Sequence, residues 1–382
     1  MLALVACADE PSKPASQLPP AQGYFCSSGA LAQLTSSPDN NVFPAVVGTA
    51  QGRLAVWDQV PHDLSAGTIW LRRWTDQAMD DAVVVEADVF ADQSTILWTG
   101  EAAVVAWVAR DAQDCLRTRP YDASGAPLGA VTEVLCVSGG QGFPSLAVAG
   151  GRLAAAWLVE VEEDVVELQL VPMDGQGRAD GEVRRLQIPE IERAVLTGAD
   201  DGWRLATGRG GGLWVARLGA DLSAGEEAQV ILREEGERID LVGVVSTALA
   251  WLRSSLEPGN ESDPVLHMAS LDGLALGTDY VVSDPSGFAA RPSNLVYSDL
   301  YEAVAVAWTD APTGGDTTLH AAMLDLVGAT SLVNVEVGAA DGTFQVEPAV
   351  VAAPDGVDVV WRAAAPIGDV IRATRLTCAY AD

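Results

Sequence analysis

Leu153-Ala154-Ala155-Ala156-Trp157 is the stretch on which the fold turns, because its ending recurs along the chain. Ala55-Val56-Trp57, Val105-Ala106-Trp107, Leu249-Ala250-Trp251, Val306-Ala307-Trp308 and Val359-Val360-Trp361 repeat it. From Trp57 the steps are 50 and 50; a further 50 reaches Thr207 in Trp203-Arg204-Leu205-Ala206-Thr207, and spacings of 44, 57 and 53 complete seven units. A second landmark moves with the first. Pro44, Pro144 and Pro348 each stand 13 residues before their tryptophan, and Pro292 stands 16 before Trp308, with residues 299–302 absorbing the difference. Self-similarity at a fixed period is the mark of a repeat architecture.

Within a unit the proline is expected to open a first short strand (44–48, 144–148, 348–352) and the tryptophan to close a second. A third follows (166–174, 318–325), and Asp-Gly turns such as Asp174-Gly175 and Asp272-Gly273 lead to a fourth, as at 130–136. The residue before the tryptophan position is Val, Ala, Ala, Ala, Ala, Ala and Val through the seven units, so the second strand is apolar on both faces. Such a strand must be covered on both sides, which suits sheets stacked face to face around an axis. The prolines fit an inner strand lining a channel with one free edge. The expectation is an all-β, seven-bladed β-propeller of four-stranded antiparallel blades. The last unit, 346–378, has three evident strands, and a segment at 27–35 is expected to supply the fourth and close the ring.

This pattern resembles the loosely conserved blades of extracellular bacterial propeller lipoproteins over residues 24–382. It lacks the WD40 Gly-His and Trp-Asp pairs, the kelch double glycine and the sialidase Ser-x-Asp-x-Gly-x-Thr-Trp box, so no family's catalytic residues carry over. Ahead of it, Leu4-Val5-Ala6-Cys7 is similar to a bacterial lipobox, which implies a lipid on Cys7 and, with Ala8 following, the outer membrane or cell surface. The short, uncharged start departs from a full signal peptide, and a start codon placed too late accounts for that. The other reading makes Met1–Ala6 a buried strand and Cys7 a core thiol. Residues 8–23, rich in Pro, Ala, Ser and Gln, read as a disordered tether, leaving three parts: 1–7, 8–23 and 24–382.

One lipidated cysteine among five leaves four, enough for two disulfides in an oxidising compartment. Cys115 and Cys136 flank the turn Ser124-Gly125-Ala126-Pro127 and are expected opposite each other across a hairpin. Cys26 and Cys378 lie near the two ends of the folded part, where a bridge would fasten the closure.

The formal charge is −31, from 53 acidic and 22 basic residues, and Lys13 is the only lysine. Nucleic acid is thereby excluded as a partner, since phosphate binding relies on clustered Lys and Arg. No apolar run is long enough to cross a bilayer as a helix, so the membrane enters only through the N-terminal lipid. No zinc motif or Gly-x-Ser-x-Gly elbow occurs, and Gly208-Arg209-Gly210-Gly211-Gly212 lacks the Lys-Ser/Thr of a phosphate loop. The repeat alignment puts His267 and His320 at the third-strand position that other units fill with Trp70, Arg117, Gln169, Trp214 and Arg372, which reads as blade surface.

Carboxylates are the plentiful resource. Glu160, Glu162, Asp164, Glu257, Glu261, Asp263, Asp310 and Asp316 fall between second and third strands and would rim one mouth of the channel, with Phe288 in a neighbouring loop. Ordinary solvated loops explain such acids; a structural Ca²⁺ of unlocalised position or a cationic partner is the sharper alternative. No cofactor is implied. The reading favoured is a surface-tethered, monomeric, non-enzymatic platform binding a protein, glycan or envelope component. A polysaccharide hydrolase or lyase using rim carboxylates, or a subunit of an envelope assembly, are the alternatives.

Overall fold

Alternate residues of a strand point to opposite faces, and around each tryptophan both faces are apolar. In the computed structural model, Trp107 packs with Ile69 and Leu71 of the preceding repeat while Val104, Ala106 and Val108 pack with Leu153, Ala155 and Val171 of the next. The same partition holds in every repeat, and it yields seven buried clusters, each between two adjacent sheets. Seven sheets joined by seven interfaces form a closed ring; an open stack would have one interface fewer. The chain is a seven-bladed β-propeller.

The structure describes residues 16–17 and 24–380, apart from 37–38, 64–65, 111, 164, 257–261, 284–288, 291, 293, 299, 311–316, 329, 338–343, 354–355 and 365–367. Among the described residues there is no helix. Blades 1 to 7 span 40–89, 91–137, 140–187, 191–232, 237–281, 289–336 and 344–380, each an antiparallel meander running from the axis outward. The inner strand of blade 6 is split into Ala289–Ala290 and Val296–Ser298 around Pro292.

Blade 7 takes its outermost strand from the N-terminal region, where Tyr24–Ser28 pairs antiparallel with Val370–Tyr380. This strand begins earlier than the expected 27–35 and is broken, resuming as Ala32–Gln33 opposite Ala373 and Arg372. Behind it Leu34 is fully buried between blades 7 and 1. The register sets Cys26 opposite Cys378; the Cys26 side chain lies outside the described residues. Cys115 and Cys136 face each other in blade 2 and form a disulfide. Ser16–Gln17, within the stretch read as a tether, runs parallel beside Tyr280 and Val281 at the outer edge of blade 5.

Two expectations need correction. The prolines do not open the inner strands, which start earlier, at Asn40–Thr49, Gly140–Ala149 and Phe344–Ala353. Each proline instead sits where the ladder is interrupted, between Val42 and Ala45, Gln141 and Ser145, and Val346 and Ala349. A residue without an N–H costs least at a bulge. The tryptophans do not end the second strands either. Trp57 and Trp157 lie inside Gly52–Val60 and Arg152–Glu162, because the apolar sandwich continues past the indole.

Toward the far end of the channel the inner strands converge. A Cβ on Gly198 of blade 4 would lie 1.9 Å from the Val148 carbonyl oxygen of blade 3, so only glycine permits that approach.

Candidate functional site

The inner strands enclose the axis, and their bulges decide what they present to it. Phe43 and Glu347 both hold left-handed backbone (φ 52° and 53°) at their ladder breaks. Non-glycine residues keep that conformation only where the surroundings enforce it. Here the enforcement is mutual, since the Phe43 N–H donates to Glu347 Oε2 at 3.0 Å. Arg362 adds its guanidinium, with Nη2 3.1 Å from Glu347 Oε1 and Nη1 3.3 Å from Asp369 Oδ2. Asn294 bridges blades 6 and 7, donating to the Val350 carbonyl and accepting from the Val350 N–H, each at 3.1 Å.

Two cavities of about 790 and 750 Å³ occupy the channel, and together their walls draw on all seven blades. They share Leu97, Pro144, Ser145, Leu146, Arg193, Pro292 and Asn294. Most of the lining residues are apolar, yet polar atoms make up about half of the exposed wall, and its charged members are Glu192, Arg193 and Glu347. Glu347 is already committed to Arg362 and the Phe43 amide. Arg193 is paired with Gly208 through the ladder, but its guanidinium makes no hydrogen bond or ion pair among the described residues. Arg193 is exposed to the channel space, yet the surrounding blades weaken its hydration and push its pKa down, and Asp240, itself 2.8 Å from Arg238 Nε, opposes that shift only in part.

The acidic rim is less free than its composition suggests. Asp310 accepts from Trp308 Nε1 at 3.1 Å and lies 3.2 Å from His320 Nε2. Asp58 accepts the Ser94 N–H and Asp114 the Gly140 N–H, so each ties its blade to the inner strand of the next. Glu160, Glu162 and Asp263 are exposed, and Gln141 reaches Glu160 at 3.4 Å. Asp164, Glu257, Glu261, Phe288, Asp316 and Cys7 lie outside the described residues.

The register confirms the third-strand position: Trp57 faces Trp70, Trp107 faces Arg117, Trp157 faces Gln169, Thr207 faces Trp214, Trp251 faces His267, Trp308 faces His320 and Trp361 faces Arg372. His267 and His320 stack on their tryptophans, centroids 5.6 Å apart in both, and His267 Nδ1 is 2.8 Å from Asp279 Oδ1. The site residue that the rim argument passes over is Arg193. A signal for it exists, because counting 14 residues back from Trp57, Thr207 and Trp361 gives Phe43, Arg193 and Glu347, which line the channel at or beside the ladder breaks of their inner strands.

No family model matches the chain, and no curated protein matches it. Solved structures do. A Dyadobacter fermentans protein of unknown function aligns over 94% of this chain and 100% of its own at 9% identity, TM-score 0.55. A Penicillium chrysogenum α-L-arabinanase complexed with arabinobiose aligns over 91% and 98% at 11% identity, TM-score 0.53. A puromycin-hydrolysing peptidase of Mycobacterium tuberculosis aligns over 92% of this chain at 13% identity, TM-score 0.55, and the chain spans about half of it, 53%. At such identities the likeness is one of fold alone.

Proposed function

We propose that this protein is an exported, lipid-anchored binding platform that takes its ligand, a protein, glycan or envelope component, at the channel mouth. The observation that carries the reading is the convergence of inner-strand bulges from separate blades on one open cavity of about 750 Å³, lined mainly by apolar residues with polar atoms making up nearly half of its wall. Concave, mostly apolar sites with a few polar groups are where proteins bind ligands. Strained backbone at Phe43 and Glu347, held by Arg362, keeps that mouth in one shape. The carboxylates that line the channel do not supply the free pair a hydrolase would use, since Glu347 is bound on both oxygens.

Two measurements test this. Thr95 lines the cavity, and Thr95→Trp fills it. Co-sedimentation with purified outer-membrane and peptidoglycan fragments is expected to fall at least about fivefold, roughly 1 kcal/mol, at an unchanged melting temperature. Equal sedimentation of the plugged variant would remove the mouth as the binding site. For the anchor, mass spectrometry of Cys7 in full-length protein from membranes is expected to show a diacylglyceryl adduct. An unmodified thiol on a retained leader would end that part of the reading.

A further inference from the structure

The cavity described above is built by an acidic protein around a cation. Fifty-three carboxylates are available to pair with 22 basic residues, and most arginines have taken one. Arg53, Arg73, Arg110, Arg117, Arg152, Arg184, Arg209, Arg253, Arg362 and Arg375 all hold ion pairs. Arg193 holds none among the described residues, although it lies where all the blades converge. Its side chain is exposed inside the channel, which it lines together with Pro144, Leu146 and Pro292, and the blades around it weaken its hydration relative to the outer surface. A charge in that setting interacts more strongly with an incoming counter-charge than an exposed one does.

We propose that Arg193 is the recognition group for a monoanionic ligand of the carboxylate class that enters the channel with its apolar body against the proline and leucine wall. This rests on the channel mouth being the binding site. One guanidinium offers a planar fork that matches one carboxylate with two parallel hydrogen bonds. A phosphate dianion would bring a second charge into a protein of formal charge −31 that has no lysine in the channel wall. Glu192 and Glu347 line the same space; Glu347 shares Arg362 with Asp369, and Glu192 is exposed beside Arg193. Arg193 is the one cation among the described lining residues, so the fork that can hold an anion there is its own.

The global charge makes the test sharp. A protein this acidic attracts cations and repels anions over its surface, so a preference for the anion can come only from a local source. The probes are 4-phenylbutyrate, its neutral amide 4-phenylbutanamide and the cationic 4-phenylbutylamine, titrated calorimetrically into the full chain at physiological salt. Wild type is expected to bind the carboxylate at least about tenfold more tightly than the amide, and Arg193→Gln is expected to erase that difference. Arg193→Lys should keep part of it, because charge remains and the fork is lost. The Nε–H resonance of Arg193 in the wild type should move on titration with the carboxylate, a readout independent of any variant's folding. Equal affinity of the carboxylate for wild type and Arg193→Gln, a preference for the amide or the amine, or an unmoved resonance would each overturn the proposal. If Thr95→Trp abolishes envelope binding while phenylbutyrate ignores Arg193, the platform stands and the anionic ligand falls. If phenylbutyrate depends on Arg193 while the plug leaves envelope binding intact, the anion site stands and the platform falls.

Discussion

Asp358→Ala is expected to lower the unfolding free energy by about 3–5 kcal/mol, measured as a shift in chemical-denaturation midpoint. Asp358 is 3% exposed at the seam where blade 7 meets blade 1. Its Oδ2 accepts from Arg53 Nε at 2.7 Å and Arg375 Nη2 at 3.1 Å, and its Oδ1 accepts from Arg375 Nε at 2.9 Å. Burial works against the charge on Arg53, yet Asp358 and then Asp76 outweigh it and its pKa ends raised. Remove Asp358 and two guanidiniums face each other in a confined space, with only the largely exposed Asp76 bonded to both. The cost is that of an uncompensated buried charge and not of a lost attraction. Arg53→Met in the Asp358→Ala background should therefore recover part of the loss. If the single variant unfolds at the wild-type midpoint, the seam is not a stabilising lock.

Trp107→Ala should cost a similar amount, about 3–5 kcal/mol, because the indole is fully buried between blades 1 and 2 and its removal leaves a cavity that two stiff sheets cannot collapse to fill. A finer comparison separates packing from hydrogen bonding. Trp107 Nε1 donates to Glu86 Oε2, whereas the equally buried Trp157 Nε1 has no partner among the described residues. Trp107→Phe strands one of the Glu86 acceptors near the interface, and Trp157→Phe removes a donor that was already unsatisfied. The first should destabilise by roughly 1 kcal/mol more than the second in matched urea titrations. Equal losses would mean that the Glu86 contact contributes nothing beyond packing.

The architecture was legible in the chain because it rests on a property of short segments. A strand that is apolar on both faces has no stable arrangement except between two others, and Ala106-Trp107 or Ala307-Trp308 announces that locally, seven times over. The same repetition placed His267 and His320 at one third-strand position, which the register sets opposite the tryptophans, and the turn at 124–127 set Cys115 opposite Cys136. The missing fourth strand of the last blade pointed to the N-terminal region, although not to its break after Ser28. The pairing of acids between second and third strands was not legible in the chain, for a physical reason. A loop aspartate reads as a solvated charge until the next blade's amide is seen to reach it, as Ser94 reaches Asp58 and Gly140 reaches Asp114.

What the sequence determined by itself is therefore the blade, its count and its closure, since period, two-sided burial and a deficit of one strand are properties of residues near one another in the chain. What only the tertiary structure decided is which charges are spent and which are left over. Asp358 looks like any acidic residue until Arg53 arrives from 305 positions away, and Arg193 is an ordinary arginine until the blades around it fail to offer a carboxylate. Pairing is a contest among groups that the ring brings together from distant blades, and short-range pattern carries no record of its outcome.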